Sequence, residues 1–157
     1  FPSWTGGLSF SVRYKNFDLS GLFQGAFDVD GYFTSEAAYA FFNGATALKR
    51  HLDRWTPENH DATYPRITRT DQTNFTTSSF WLQDASYVRL KNLTLGYTMP
   101  KAWMTKLGVA NAKVFLSGEN LFTITGLDGG IDPEEASERG WSYGNVKKIS
   151  VGVRLSF

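Results

Sequence analysis

Two histidines, His51 and His60, are the residues of this sequence best suited to acid–base or metal chemistry. An imidazole changes its charge near neutral pH and is a frequent metal ligand, but catalysis also needs partner groups at fixed spacing. The sequence has no phosphate-binding G-x-x-x-x-G-K-[ST] loop and no H-E-x-x-H zinc helix. It also has no Cys, so no thiolate can hold zinc. We therefore predict that the chain is not an enzyme, and that it holds no cofactor and no metal.

Two groups of residues in the last third of the chain could bind a ligand. Trp141 and Tyr143 are candidate substrate-binding residues, because aromatic rings stack on the apolar faces of sugars; they could equally belong to an aromatic belt at a membrane surface. Five acidic residues nearby could hold a cation or form a solvated loop: Asp128, Asp132, Glu134, Glu135 and Glu138. In the middle of the chain, Trp55, Tyr64 and Arg66 are expected to fold their segment onto itself.

The composition leaves two classes of protein open. The formal net charge is +1, without the basic excess of a nucleic-acid-binding protein, so no nucleic-acid partner is expected. Aromatic residues make up 16% of the chain, yet no run of about eighteen apolar residues occurs, which excludes a transmembrane helix. A transmembrane β-barrel, whose strands alternate lipid-facing and lumen-facing residues, fits this composition. A soluble carbohydrate-binding β-sandwich fits it equally well.

Alternating apolar and polar residues predict a chain of long strands. The pattern is clearest over 148–157, where every odd position is apolar and every even position is polar or Gly. The same period predicts four more strands, at about 8–14, 17–27, 80–99 and 112–124. The alternation breaks at 87–91, which indicates a bulge or a stretch that lies beyond the membrane. Several exceed the roughly five or six residues usual in soluble sheets and reach the length that a tilted membrane strand needs. The strand lengths favour the barrel.

The connections between these strands alternate in length. Residues 15–16 and 100–108 make short links, whereas 28–79 and 126–145 are long. Outer-membrane barrels have tight periplasmic turns and extended external loops, so we expect 28–79 and 126–145 to be extracellular loops.

The first long segment, 28–79, is expected to be partly helical. Ser35 is a candidate helix N-cap, with Glu36 in the first turn. A helix with one interruption at Gly44 is expected to run from there to about Trp55, where Pro57 would stop it.

Several ordered motifs resemble the SusC/RagA-like TonB-linked outer-membrane transporters. The strand motif of that family, S-x-x-R-L-K-N-hydrophobic-T-L-G-Y, is matched by residues 86–97. Further matches follow at 4–8, 14–19, 54–59, 64–66, Pro100, Trp103, 107–108, 114–122, 131–134 and the terminal strand. The resemblance covers nearly the whole chain.

This resemblance implies a fold, a function and a set of partners. The fold is all-β: residues 1–157 form an antiparallel transmembrane β-barrel segment, the last five or so strands of a barrel of about 22. The function is import of oligosaccharides, or of peptides, across the outer membrane of a Gram-negative cell. The partners are outer-membrane lipid, a SusD-like surface lipoprotein, and a TonB complex that acts through an N-terminal part absent here.

Two further expectations concern the first and the last residue of the sequence. The first residue is not Met, and about five strands cannot close a pore, so a fragment of a longer protein is expected. Phe157 stands in phase with the apolar positions of the last strand, and it resembles the terminal aromatic signal read by the barrel assembly machinery. It could also be an apolar residue that happens to end the chain. The identity of the substrate is not set by this stretch of sequence.

Overall fold

The computed structural model of the protein describes residues 1–69, 73–127, 130–136 and 139–157, which form two compact units. The sheet unit consists of Trp4–Ala26, Tyr87–Ile124 and Asn145–Phe157. The loop unit consists of Phe1–Ser3, Phe27–Ser86 and Thr125–Gly144. Each unit contains a hydrogen-bonded sheet of its own.

Strands dominate the regular structure of the described residues. In chain order they are β1 (Trp4–Tyr14), β2 (Phe17–Phe27), β3 (Asp30–Tyr32), β4 (Leu82–Asp84), β5 (Tyr87–Thr98), β6 (Asn111–Glu119), β7 (Thr123–Thr125) and β8 (Lys148–Ser156). The α-helices are α1 (Ser35–Ala38) and α2 (Lys101–Leu107). Short 3-10 helices span Phe42–Gly44, Lys49–Leu52, Thr73–Phe75, Ser79–Trp81 and Pro133–Glu135. None of the helices in the described parts of the chain is long and apolar enough to cross a membrane.

The sheet unit is a sheet in the strand order β1-β2-β5-β6-β8, with β7 also paired to β5. Strands β1 and β2 form a hairpin whose turn holds Lys15 in a left-handed conformation with φ of 51°. Strands β2 and β5 are antiparallel, and at Leu22 their register shifts so that β5 accommodates one extra residue, Lys91. This shift is a β-bulge, which is the first of the two alternatives expected for 87–91, and it lies at the end of that stretch. The antiparallel sheet predicted from the alternation is therefore present.

Two of the predicted strands are each divided in two. The stretch 80–99 is β4 and β5, because β4 pairs with β3 in the small sheet while β5 pairs with β2. The stretch 112–124 is β6 and β7, because Asn120 has φ of 50° and its backbone N–H donates to the Lys91 carbonyl oxygen at 3.0 Å. Both breaks come from pairing with strands distant in sequence, which local periodicity does not encode.

The loop unit is built around an aromatic core. Phe33, Tyr39 and Trp81 are buried together. The Tyr39 ring lies edge to face with Trp81 at 5.0 Å and tilted against Phe75 at 4.5 Å. The Phe33 backbone N–H donates to the Trp81 carbonyl oxygen at 3.0 Å, next to the paired strands β3 and β4. Residues some fifty positions apart are thus tied into one small domain-like unit.

The helix expected over 35–55, with one interruption at Gly44, is wrong. Helix α1 ends at Ala38, and Thr34 rather than Ser35 takes the N-cap position. Phe41 has φ of 60°, a left-handed conformation in which a right-handed helix cannot continue. The aromatic side chains of this segment pack into the core instead, so tertiary packing outweighs helix propensity.

Candidate functional site

One side of the sheet unit is apolar across its five long strands, and we call it the apolar face. It consists of Leu8, Phe10, Val12, Tyr14, Phe17, Leu19, Phe23, Leu93, Leu95, Tyr97, Val114, Leu116, Ile149, Val151, Val153 and Leu155. The strand register aligns these residues, since Leu95 is paired with Leu116 and Leu116 with Val151. Directly paired residues point to the same side of a sheet, so the alternation within each strand builds one continuous surface.

The apolar face is exposed. Leu95, Leu116 and Val151 have 44, 48 and 74% of their surface accessible. Burying such a side chain completely is worth about 1.5–3 kcal/mol, and soluble monomers rarely expose apolar patches beyond a few hundred Å². A face that crosses five strands therefore requires an apolar partner, either lipid or another layer of protein.

The opposite side, which we call the polar face, carries an ion pair that lies over a glycine. Lys113 on β6 reaches across β5 to Asp18 on β2, with 2.7 Å between Nζ and Oδ2. The ion pair passes over Gly96, and a side chain there would collide with both partners. Phe115 covers Gly152 of the neighbouring strand in the same way. The glycine of the 86–97 motif is thus explained by the close approach of the Lys113 and Asp18 side chains.

Arg89 of the same motif holds β5 and β7 together. Its side chain is buried, and Nε donates to Thr123 Oγ1 at 2.8 Å. The guanidinium carbon lies 5.8 Å from the centre of the Tyr87 ring. Sequence reasoning missed this contact, because β7 was predicted as the end of a continuous strand.

His51 has a structural role in the loop unit. Its ring is buried, Nδ1 accepts a hydrogen bond from the Leu48 backbone N–H, and Nε2 lies 2.9 Å from the Ala38 carbonyl oxygen. Because Nδ1 accepts, Nε2 carries the proton and donates, so both ring nitrogens are engaged by backbone. Burial lowers the pKa of His51, which keeps it neutral. His60 lies elsewhere on the unit, stacked on Trp55 with ring centres 5.7 Å apart.

A G-x-S-x-G spacing at 140–144, which sequence reasoning missed, does not form a nucleophile turn. In hydrolases this pattern sits between a strand and a helix, with a histidine beside the serine. Here the segment lies in neither kind of element, and Ser142 Oγ donates to the Glu135 carbonyl oxygen at 2.6 Å. The His51 ring is engaged by Leu48 and Ala38, so it does not serve as a base for Ser142.

The structure places Trp141 and Tyr143 on the surface of the loop unit, 68 and 89% exposed. The Arg139 guanidinium lies 4.0 Å from the centre of the Trp141 ring and donates to both carboxylate oxygens of Glu36 at 3.0–3.2 Å. This stack fixes the orientation of the indole and occupies one of its faces. Only the opposite face of Trp141 is free to stack on a ligand. The role of these two residues in binding remains a prediction.

The acidic residues before Trp141 form no ion site within the described part of the chain. Asp128 and Glu138 lie outside the described residues. Asp132 Oδ1 accepts from the Glu134 backbone N–H at 3.0 Å, which caps the 3-10 helix Pro133–Glu135. Among residues 1–69, 73–127, 130–136 and 139–157, no three His, Asp or Glu side chains converge as metal ligands.

Phe157 follows the last residue of β8 and is almost fully exposed. It continues the phase of Val153 and Leu155 on the apolar face. Its position is compatible with a side chain that meets an apolar partner, and its role as an assembly signal remains a prediction.

The sequence and the fold were compared with known proteins, and both are similar to TonB-dependent receptors. No family model matches the chain. A TonB-dependent receptor of Formosa agariphila is 31% identical over 99% of the chain, and the TonB-dependent receptor SusC of Bacteroides thetaiotaomicron is 28% identical over 96% of it. The structure of the RagAB peptide importer in its open-open state covers 100% of the chain with a TM-score of 0.76 and 30% identity. The chain spans only 16, 15 and 17% of the length of these three proteins.

Proposed function

Since the chain belongs to the SusC/RagA-like TonB-dependent receptors and corresponds to about a sixth of such a protein, we propose that it forms part of an outer-membrane import barrel. Proteins of this group are β-barrels of the Gram-negative outer membrane, and the sheet unit has the fold of a segment of such a barrel. In this proposal the apolar face contacts lipid and the polar face lines a water-filled lumen.

The exposed apolar face is the observation that carries the proposal. In lipid, its side chains meet a medium as apolar as themselves, so no second layer of protein is needed. A soluble sandwich requires such a layer, because without it residues such as Leu116 and Val151 would face water. The polar face, with its Lys113–Asp18 ion pair, suits contact with water in the lumen. The membrane barrel therefore accounts for both faces with a single sheet.

The proposed partners follow from the relatives. We propose that a SusD-like surface lipoprotein delivers the substrate, and that a TonB complex supplies energy through parts of the protein outside this chain. The matched RagAB structure is described as a peptide importer, and another relative is named SusC. The proposed substrates are oligosaccharides, with peptides as the alternative.

The proposed sidedness places both long connections outside the cell. In an antiparallel sheet, β2 ends at the edge where β5 begins, and the connection before β8 leaves from that same edge. Long connections of outer-membrane barrels are extracellular, so 28–79 and 126–145 are proposed as extracellular loops. Trp141 and Tyr143 would then contact the substrate or the lipoprotein.

Purification of the full-length protein from detergent-extracted outer membranes tests the proposal. Intact-mass and peptide analysis is expected to find this sequence within a polypeptide several times larger than 17.6 kDa, together with a co-purifying lipoprotein. Co-purification is expected if the proposed lipoprotein forms a stable complex with the barrel. A stable 17.6 kDa species found alone in a detergent-free soluble fraction would contradict the proposal and favour the sandwich.

The assembly role of Phe157 is tested in the same full-length protein. Phe157→Ala is expected to lower the amount of receptor in the outer membrane several-fold, because it removes the aromatic ring that continues the apolar face. Phe157→Tyr keeps the ring and is expected to leave the amount unchanged. Quantitative immunoblots of outer-membrane fractions measure the amount of both variants. Equal amounts of the two variants would contradict the proposal that Phe157 is an assembly signal.

A further inference from the structure

The loop unit contains a cavity of about 530 Å³ that none of the roles above uses. Its lining includes four aromatic side chains: Trp55, Tyr64, Phe80 and Trp81. Small-molecule sites commonly measure about 300–1,000 Å³ and combine aromatic walls with a few polar groups. The size and the aromatic walls of this cavity are therefore those of a ligand site.

The wall that carries Trp55 and Tyr64 is held rigidly by Asp53. Asp53 accepts hydrogen bonds from the backbone N–H and hydroxyl of Thr63, at 3.1 and 2.7 Å, and from Asn59 Nδ2 at 3.1 Å. These bonds from Thr63 and Asn59 lower the pKa of Asp53, so it stays ionised. The Trp55 backbone N–H donates to the Tyr64 carbonyl oxygen at 2.8 Å. The segment folds onto itself, as predicted, and these bonds fix the backbone that carries the two rings, while His60 covers one face of Trp55.

The aromatic rings offer surfaces in different planes. Phe80 lies perpendicular to Trp81 with ring centres 4.8 Å apart, and Tyr64 lies perpendicular to Phe80 at 6.2 Å. Trp55 and Phe80 are 39 and 51% exposed although they stand beside a core that buries Trp81. Large aromatic side chains left open at the rim of a cavity are typical of recognition surfaces.

The polar part of the lining selects the chemistry of the ligand. Hydroxyl and amide side chains alternate with the rings, and Arg66 carries the one charge among the described lining residues. None of the described residues that line the cavity is a carboxylate, and the one charged side chain among them is positive, so these residues favour a neutral or anionic ligand over a cationic one. The fitting ligand is neutral or anionic and has both apolar C–H faces and several hydroxyl groups. Its C–H faces can stack on the aromatic rings, and its hydroxyl groups can hydrogen-bond to the polar side chains.

We propose that this cavity binds a sugar residue of a neutral or acidic glycan, with Trp55 and Phe80 stacking on the sugar ring. Arg66 and the nearby Asn74 and Ser78 face the same cavity and would bind its hydroxyl or carboxylate oxygens. A peptide is the less suitable occupant, because peptides commonly pair with an exposed strand edge and no residue of β3 or β4 lines the cavity. The proposal rests on the proposed import function, for which it names a substrate-binding subsite.

Binding assays on the full-length receptor, purified in detergent, test the subsite. The probes are an array of neutral and uronic-acid-containing hexasaccharides and a matched array of hexapeptides. Trp55→Ala and Phe80→Ala are each expected to weaken hexasaccharide binding about tenfold, since each removes one stacking surface. The control is Trp103→Ala, which removes an exposed indole from α2 in the sheet unit and is expected to bind as the parent does.

Trp55→Phe separates stacking from misfolding, because it keeps a ring on the same backbone and is expected to retain more affinity than Trp55→Ala. Unchanged hexasaccharide binding in Trp55→Ala and Phe80→Ala would overturn the proposal. So would the absence of any hexasaccharide binding, or hexapeptide binding that these variants abolish. Outer-membrane location and co-purification of the lipoprotein are measured separately, so the subsite can fail while the import function stands.

Discussion

Val151→Arg is expected to destabilise the full-length receptor in the membrane by about 2–4 kcal/mol, the cost of an arginine on the lipid side of a barrel near the bilayer centre. Val151 lies near the middle of the nine-residue strand β8 and is paired with Leu116 on the apolar face. If this face contacted water, the same substitution at a 74% exposed position would change the stability by no more than about 0.5 kcal/mol. Unfolding of the receptor in lipid, followed against denaturant concentration, measures the difference.

The matched control is the preceding residue. Ser150 is paired with Ser117 on the polar face, so Ser150→Arg places the same charge on the same strand towards the proposed lumen. This variant is expected to stay within about 0.5 kcal/mol of the parent. Equal destabilisation by the two variants, or none by either, would contradict the assignment of the faces.

Phe33→Ala is expected to destabilise the loop unit by about 3–5 kcal/mol, the usual cost of removing a fully buried aromatic side chain. Phe33 has 0% of its surface exposed and packs in the core with Tyr39 and Trp81. The cavity left behind cannot be refilled by the backbone, which is fixed there by the hydrogen bond to the Trp81 carbonyl oxygen. Amide hydrogen exchange over 30–69 in the full-length receptor measures the loss as faster exchange.

Leu52→Ala is the control for this prediction. Leu52 belongs to the same unit but is 73% exposed, so its truncation is expected to cost less than about 0.5 kcal/mol and to leave exchange unchanged. If Phe33→Ala exchanges as slowly as Leu52→Ala, the aromatic core does not hold the loop unit together.

The strands were predictable because their two faces differ. Strand β2 was predicted over 17–27 and is found at Phe17–Phe27, and β8 was predicted to within one residue of its end. Where a strand leaves the sheet, local pattern gives no signal. The break between β4 and β5 depends on pairing with β3, which lies some fifty residues earlier.

The loop unit was less predictable, because its core joins residues far apart in sequence. The helix expected over 35–55 would have required Phe41 in a helical conformation, whereas the structure holds it left-handed. The cavity was also missed as a site. Trp55, Tyr64 and Arg66 were expected only to fold their segment onto itself, and Phe80, which completes the aromatic wall, was assigned to a strand. The available signal was the aromatic residues in the middle of the connection 28–79 and directly after it.

Composition alone left the barrel and the soluble sandwich open, and two observations favour the barrel. The register shows that the alternation of separate strands adds up to one surface. The exposure of Leu116 and Val151 shows that no other described part of this chain covers that surface. Neither the register nor the exposure can be read from the period of a single strand.

Spin-label accessibility at neighbouring positions of β8 tests the central claim most directly. Ser150→Cys and Val151→Cys, each labelled with a nitroxide in the full-length receptor in lipid bilayers, report contact with apolar oxygen and with a water-soluble nickel complex. If the apolar face contacts lipid, the label at position 151 is reached mainly by oxygen and the label at position 150 mainly by the nickel complex. A label at position 151 that nickel reaches as readily as the label at position 150 would show that the apolar face does not contact lipid.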